Sequence, residues 1–421
     1  MKAPRIGQHS RSLTLTCALA LASGAAHATN GYFPHGFGLK AKGMGGAAIA
    51  LAQDGFGGVN NPAATAFANN RLDVGLEVFR PFRDAQFVGM TPVVESGRTV
   101  FPIPELGYVR QPGGNLSFGL TVYGNGGMNT RYAPFPNGAN LLGGQGKLGV
   151  DLMQLIVAPH IAYRIDTRQA IGIAPLLVAQ RFEAYGLQAF AGLSSAPQQV
   201  TNKGYDTSLG VGVRIGYVGR FNNLSFGFVY SPKTRMERFE RYRGLFADGG
   251  RFDIPENYGI GFALHPTPSL TLAADLTRVR YGHVPSVGNP SLPPLMMGKP
   301  LGHPGGSGFG WSEVDTVKIG IQYKLDESWT VRAGFNRGDN PVQPADAMFN
   351  ILAPGVTRSH YTAGATWSPS KTQEWTLAAW VAPRESVTGV AVNFATGAAN
   401  PVGTRISMRQ YGVGLQYSRL F

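Results

Sequence analysis

The 421-residue chain has a single cysteine, Cys17, so it closes no disulfide within itself. Long apolar runs are also missing. Past the first two dozen residues, no segment reaches the roughly 18 apolar residues of a membrane-spanning helix, which excludes a bundle of such helices. Charge is sparse, at 14% of residues, and acids are the minority, 24 against 37 Lys plus Arg. The histidines are dispersed and lack metal-ligand spacing. Gly38-Leu39-Lys40-Ala41-Lys42-Gly43 starts like a phosphate-binding loop, but Met44 stands where that loop needs Lys. Gly210-Val211-Gly212 followed by Gly216 has the wrong spacing for a dinucleotide site, and there is no Ser-centred nucleophile elbow. No catalytic residue, metal or cofactor is expected.

What is present begins with a leader. Lys2, Arg5 and Arg11 precede an apolar run from Leu13 to Ala22, and Ala26-His27-Ala28 offers small residues to a signal peptidase. Residues 1–28 read as a secretory signal peptide, with Thr29 starting the mature chain. The run is too short for a transmembrane anchor. Cys17 lies inside the leader, and Thr16 sits where a lipoprotein signal wants Gly or Ala. The mature chain is therefore expected to carry no thiol. The net charge of +13 and pI near 9.9 are spread along the chain rather than clustered. That argues against nucleic acid and for anionic lipid headgroups or anionic ligands.

Glycine is plentiful, at 58 residues, and aromatics reach 11%. The dominant pattern is alternation. Tyr411, Val413, Leu415 and Tyr417 share one face of the last segment, while Gln410, Gly412, Gly414, Gln416 and Ser418 share the other. Such patterning predicts fourteen strands, near 71–80, 101–111, 115–124, 148–165, 169–187, 205–220, 224–236, 252–265, 269–283, 312–325, 329–338, 356–368, 374–386 and 404–421. Pro112-Gly113-Gly114, Asp166-Thr167-Arg168, Asn222-Asn223, Pro266-Thr267-Pro268, Asp326-Glu327-Ser328 and Pro369-Ser370-Lys371 read as tight turns. They alternate with long connections. No helices exist to cover so much oily sheet, so that face belongs in lipid. The expected fold is all-β: a transmembrane antiparallel barrel of 14 strands over 71–421, with short turns in the periplasm and long loops outside. Phe79, Tyr108, Tyr163, Tyr281, Trp311, Trp329, Trp367 and Trp375 fall near strand ends, where aromatic girdles belong. Arg419 interrupts the apolar face close to the periplasmic interface, where its head can snorkel.

Residues 29–70 do not read as barrel. They are rich in Gly and Ala. A short helix is expected near Met44 to Gln53, and a second begins at Asn61-Pro62, where Asn caps and Pro takes the first helical position, ending at Asn69-Asn70. Small residues let backbone pack inside a barrel, so the segment is expected to plug the lumen as a small N-terminal hatch. Asn30-Gly31-Tyr32-Phe33, Gly36-Phe37-Gly38, Lys40-Ala41-Lys42-Gly43-Met44-Gly45-Gly46-Ala47 and Asn60-Asn61-Pro62-Ala63 closely resemble the hatch of FadL/TodX-type outer-membrane channels for long-chain fatty acids and aromatic hydrocarbons. The order of barrel elements and the terminal Phe421 extend the resemblance over the mature chain. The resemblance implies a hatch that blocks the lumen, with its N-terminal end against bound ligand. Tyr32, Phe33 and Phe37 are then candidate pocket residues, and Gly45, Gly46, Asn61, Pro62 and Ala63 belong to hatch and gate. It also implies an inward kink in the third strand that opens the wall toward the bilayer. Gly124, Gly126 and Gly127 mark that candidate lateral exit, since glycine interrupts strand pairing readily.

The predicted lumen faces carry His160, Arg214, Lys318 and Arg332, with the acids Asp73, Glu77 and Asp275. Arg214, Lys318 and Arg332 are candidate anchors for a ligand carboxylate at the end of an apolar pocket. Mutual pairing of lumen charges is their competing role. The loops near 187–204 (Leu187, Phe190, Leu193) and 237–251 (Phe239, Leu245, Phe246) carry apolar residues expected to be exposed, and the resemblance implies a capture groove between them. The expected function is passive uptake of hydrophobic compounds through the outer membrane of a Gram-negative bacterium. The channel would act as a monomer, with hydrophobic small molecules, outer-membrane lipid and lipopolysaccharide, and the barrel-assembly machinery as partners. Two other classes remain open. A general porin would lack the plug, and an outer-membrane lipid hydrolase would need a nucleophile and a base in hydrogen-bonding reach.

Overall fold

A computed structural model describes residues 30–392 and 399–421, with side chains from 403 onward in the second stretch. The expected signal peptide, 1–28, lies outside the described residues. Fourteen antiparallel strands form the wall: β1 Arg71–Phe87, β2 Phe101–Gly113, β3 Leu116–Asn129, β4 Gly149–Arg164, β5 Gln169–Tyr185, β6 Asp206–Phe221, β7 Leu224–Ser231, β8 Asn257–Thr267, β9 Leu270–Val279, β10 Val314–Lys324, β11 Trp329–Gly338, β12 Ser359–Ser370, β13 Gln373–Val392 and β14 Ala399–Leu420. Each pairs with the next along the chain. β1 pairs with β14 from Arg71↔Leu420 to Phe87↔Thr404, which closes the ring. Two short strands, Val94–Glu95 and Arg235–Met236, extend β1 and β6 inside the long connections. Closure satisfies the wall's backbone groups without water, as lipid demands.

Alternation sets which face meets lipid. On β1, Val74 and Leu76 are exposed on the outer side, while Asp73 and Glu77 are buried on the inner side. Ile319, Ile321, Val413 and Leu415 continue the outer belt. The tight turns, such as Asn222-Asn223 between β6 and β7, share one end with the start of β1 and the end of β14. By the orientation of such barrels this is the periplasmic end. Several strands run beyond their expected ends on the other side. β1 continues past Arg80 to Phe87, and β13 continues to Val392. There the wall stands above the bilayer, so its outer face is polar and the alternation that marks a strand fades.

The aromatic girdle is partly as expected. Tyr163, Trp329, Trp367 and Trp375 are exposed near the short turns. Trp375 lies against Tyr417 with ring centroids 4.9 Å apart. Phe79, Tyr281 and Trp311 are corrections, because all three are buried inside the molecule. The loop residues Leu187, Phe190, Phe239 and Phe246 are corrected in the same way: they are buried in a hydrophobic cap over the outer end, and Leu193 and Leu245 pack against it. These rings and chains cover one another because no lipid reaches them there.

The segment from Asn30 to Asn70 fills the lumen, and wall side chains hold it from all around the ring. Asp275 accepts the N–H groups of Ala48 and Ile49 (2.8 and 3.1 Å), and Asp73 accepts that of Gly55 (2.7 Å). Thr362 accepts from Gly45 (2.9 Å). Lys42, fully buried, forms ion pairs with Glu77 and Glu105. Burial opposes its charge, but Glu105 and Glu77 outweigh that and raise its pKa above the ordinary lysine value. The helix expected near Met44 to Gln53 is not formed. A single helical turn, Leu39–Lys42, stops before it. Gly45 and Gly46 follow with φ of 68° and 87°, which a right-handed helix cannot include. The second expected helix is a 3₁₀ segment, Pro62–Phe67, capped by Asn61 through the Ala63 N–H at 3.1 Å. It stops short of the expected Asn69-Asn70.

Candidate functional site

The site is built on the first turn of the lumen segment. Tyr281, from the long connection after β9, pins that turn with one hydroxyl. The oxygen accepts the N–H groups of Tyr32 and Phe33 (3.1 and 3.2 Å), and the O–H donates to the Asn30 carbonyl (2.6 Å). Tyr32 is fully buried among Phe33, Phe252, Tyr281 and Trp311, with ring centroids 5.2–6.0 Å away. It is a supporting ring. Phe33 and Phe37 instead face an interior cavity of about 80 Å³, walled by Val59, Tyr123, Ile156, Leu176, Val229, Ile254 and Val279. Phe37 meets Tyr123 edge to face at 4.9 Å. An apolar cavity of about 150 Å³ admits benzene. This cavity is about half that size, so even a single-ring ligand must push these side chains aside.

Two of the three candidate cations line this cavity, and no carboxylate does among the described residues. Arg214 is committed to its neighbours: it donates to Ser231 Oγ (3.0 Å), Asn257 Oδ1 (2.9 Å) and the Asn60 carbonyl (3.4 Å). Lys318 sits opposite Asp275 in the β9–β10 ladder. Asp275 spends one oxygen on Ala48 and Ile49, and no ion pair or hydrogen bond reaches the Lys318 amine among the described residues. Arg332 lies elsewhere. It bonds Gln322 (2.7 Å) and Thr366 (2.6 Å) beside Lys40, Gln53 and Glu374, toward the periplasmic end. The lumen acids hold the inserted segment rather than these cations.

Gly45 and Gly46 sit where that segment crosses the wall. A Cβ on Gly45 would be 2.6 Å from the Phe335 carbonyl oxygen, and one on Gly46 would run into the His35 carbonyl. Wall glycines face them: Gly320 touches Met44, and Gly334 touches Gly45. Asn61-Pro62-Ala63 sits likewise against Gly172 and Gly216. Asn61 also bonds the carbonyls of Ile49 (2.8 Å) and Tyr217 (3.0 Å).

Beside the cavity the wall is interrupted. β2 and β3 pair from Gly113↔Leu116 only as far as Leu106↔Val122. From there Phe101–Glu105 and Tyr123–Asn129 run unpaired with each other, although each keeps its other neighbour. On the β4 side the register slips by one residue between Gly124 and Gly126, a bulge at Asn125. Gly126 has φ 144°, and a Cβ there would strike the Tyr32 carbonyl oxygen. Gly124, Gly126 and Gly127 thus lie on the edge of a seam, and Gly126 is the one pressed against the inserted segment. Asn125 begins a polar ladder along the inner wall, to Gln154 (3.0 Å), Gln180 (3.1 Å) and Ser208 (3.2 Å), which fixes the bulged edge. The seam's other edge was legible but missed. Pro102 and Pro104 sit in the unpaired stretch, and proline withholds the ladder donor that a central strand needs. Tyr123 was missed too, and Tyr281 was placed in the girdle, because nothing in alternation separates a pocket ring from a packing ring.

Residues 17–382 match the family model described as outer membrane protein transport protein (OMPP1/FadL/TodX). The chain belongs to this family. Its fold is that of solved FadL/TodX-family barrels. The Pseudomonas putida toluene transporter TodX is 18% identical at a TM-score of 0.68, covering 92% of this chain and 99% of its own. A Pseudomonas aeruginosa FadL homologue is 16% identical at 0.69, covering 93% and 100%. The Ralstonia pickettii toluene transporter TbuX is 16% identical at 0.63, covering 92% and 99%. A search of curated proteins by sequence found no match. As an OMPP1/FadL/TodX protein, the chain is a transport protein of the outer membrane of a Gram-negative bacterium.

Proposed function

We propose that this chain takes up hydrophobic compounds passively, through a barrel plugged by residues 29–70 and left sideways through the wall of 71–421, once the signal peptide 1–28 is removed. The observation that carries the reading is the adjacency of the Phe33–Phe37–Tyr123 cavity to the β2–β3 seam. A solute in that cavity reaches the bilayer without crossing the periplasmic half of the lumen. Apolar surface gains about 25 cal/mol per Å² by staying out of water, so lateral exit is the favourable route. Tyr32 supports the pocket, Gly45, Gly46, Asn61, Pro62 and Ala63 dock the hatch, and Gly124, Gly126 and Gly127 shape the exit. The filled lumen speaks against a general porin. Hydrolysis has no role in the proposal, and purified protein is expected to leave lipid esters intact. The channel acts as a monomer, inserted by the barrel-assembly machinery among outer-leaflet lipid and lipopolysaccharide.

Two substrate classes are in view, aromatic hydrocarbons of the kind carried by the toluene transporters and fatty acids. Lys318, a cation with no ion pair among the described residues, on a cavity that Arg214 also lines and no carboxylate does, favours a ligand with an anionic head. The test of the route is a reversible lock. Ile103→Cys and Asn125→Cys place thiols on the two edges of the seam, to be bridged by a bifunctional thiosulfonate. Uptake of a hydrophobic substrate by cells should fall when the bridge forms and return on reduction. Normal uptake through the bridged protein would overturn lateral exit.

A further inference from the structure

One side chain bonds the backbone on both sides of the seam's upper end. Arg83, on the inner face of β1 and 5% exposed, lies beneath it. One terminal nitrogen donates to the carbonyl of Asn129, the last residue of β3, and the other to the carbonyl of Arg98, in the connection leading to β2. The guanidinium carbon stands 5.7 Å from the centre of the Phe101 ring at the start of β2. Both bonded segments converge on a second point, Asp151, which accepts from Asn129, Arg98 and the Tyr205 hydroxyl. Backbone bonding between the two sides resumes only at Gly97 N–H to the Arg131 carbonyl, 2.9 Å, above the seam. Between that bond and the Leu106↔Val122 pair, the wall lacks a ladder and has the Arg83 fork instead.

We propose that Arg83 is the latch of the lateral exit, a positioning residue that keeps the seam shut until solute arrives; this rests on the lateral-exit reading above. Backbone carbonyls that lose strand partners away from water require donors. A guanidinium offers five, in a rigid fork that can hold two carbonyls at once. Arg83 has no acidic partner among the described residues. It therefore binds the edges through two carbonyls and the Phe101 ring, and releasing them breaks no ion pair. A solute leaving the Phe37–Tyr123 side of the cavity wedges between the edges and displaces the fork, which then closes behind it.

The experiment uses the full-length protein with Ile103→Cys as the reporter. Ile103 is fully buried on the unpaired edge, and the one native cysteine, Cys17, is replaced by Ser so that no other thiol is present. With Arg83 replaced by Ala, a membrane-permeant maleimide should modify this cysteine at least tenfold faster. Arg83→Lys keeps the charge but not the fork and should fall between. Heat-modifiable migration on gels checks that each variant is folded, and Arg83→Lys carries the same readout if the Ala variant does not fold. Unchanged reactivity in a folded variant would overturn the latch. The bridged Ile103→Cys/Asn125→Cys protein judges the exit separately. If it transports normally while Arg83→Ala still unmasks Cys at 103, Arg83 latches a seam that is not the route.

Discussion

At the scale of single residues, the candidate cations separate by what already holds them. Arg214 is satisfied by Ser231, Asn257 and Asn60, and Arg332 by Gln322 and Thr366. Lys318 faces the cavity without such partners. Replacing Lys318 with Ala should weaken fatty-acid binding about tenfold to hundredfold, the effect of one charge-assisted bond of roughly 1.5–3 kcal/mol. Binding of a neutral aromatic hydrocarbon should be little changed. Titration of the purified protein with both ligand types reads the difference directly. Arg214→Ala should instead weaken both, because its loss leaves Asn257 and the Asn60 carbonyl without a donor inside the barrel. Equal effects of Lys318→Ala on the two ligands would show that its charge only fills the wall.

The hatch is the element whose role is most open to a clean deletion. Its anchors are side chains of the wall: Asp73, Glu77, Glu105, Asp275, Thr121 and Thr362 all bond it. Strand pairing does not depend on it, since the ring closes from β1 to β14 through backbone ladders. Removing residues 29–70 behind the leader should leave a barrel that inserts into membranes, with water entering to solvate the freed carboxylates. Conductance in planar bilayers should rise well above that of the intact protein. An unchanged conductance would mean that the segment does not plug the pore. The glycines of the hatch were legible from sequence as a group. Their individual purpose was not, because Gly45 is required only once the Phe335 backbone is placed against it.

The whole molecule is one closed antiparallel sheet wrapped around its own N-terminal segment. Apart from the short seam between β2 and β3, such a barrel offers no edge at which unfolding can start cheaply. Unheated protein should migrate faster on detergent gels than boiled protein, and circular dichroism should be dominated by strand. A helix-dominated spectrum would contradict the architecture described here. The net charge of +13 is spread along the chain rather than clustered in it, so salt is expected to have little effect on the barrel itself.

Period-two alternation and alternating turn lengths sufficed for the class of fold and the number of strands, because lipid and lumen impose opposite demands on neighbouring residues. The Gly-rich start and Asn61-Pro62 sufficed for an inserted segment. Side chains on the inside were a different matter. Phe79, Tyr281 and Trp311 look like girdle residues until the fold buries them, and Leu187, Phe190, Phe239 and Phe246 look exposed until the loops meet. Lys318 and Arg332 cannot be told apart along the chain. Only the closed barrel brings Asp275 to the hatch backbone, leaving one amine without a partner, and sets Arg332 against Thr366. The seam lies between these cases. Its prolines and glycines are written in the sequence, but the loss of pairing between β2 and β3 is a relation between two strands. So is the fork of Arg83 across it: a contact between residues far apart in sequence has no local signature.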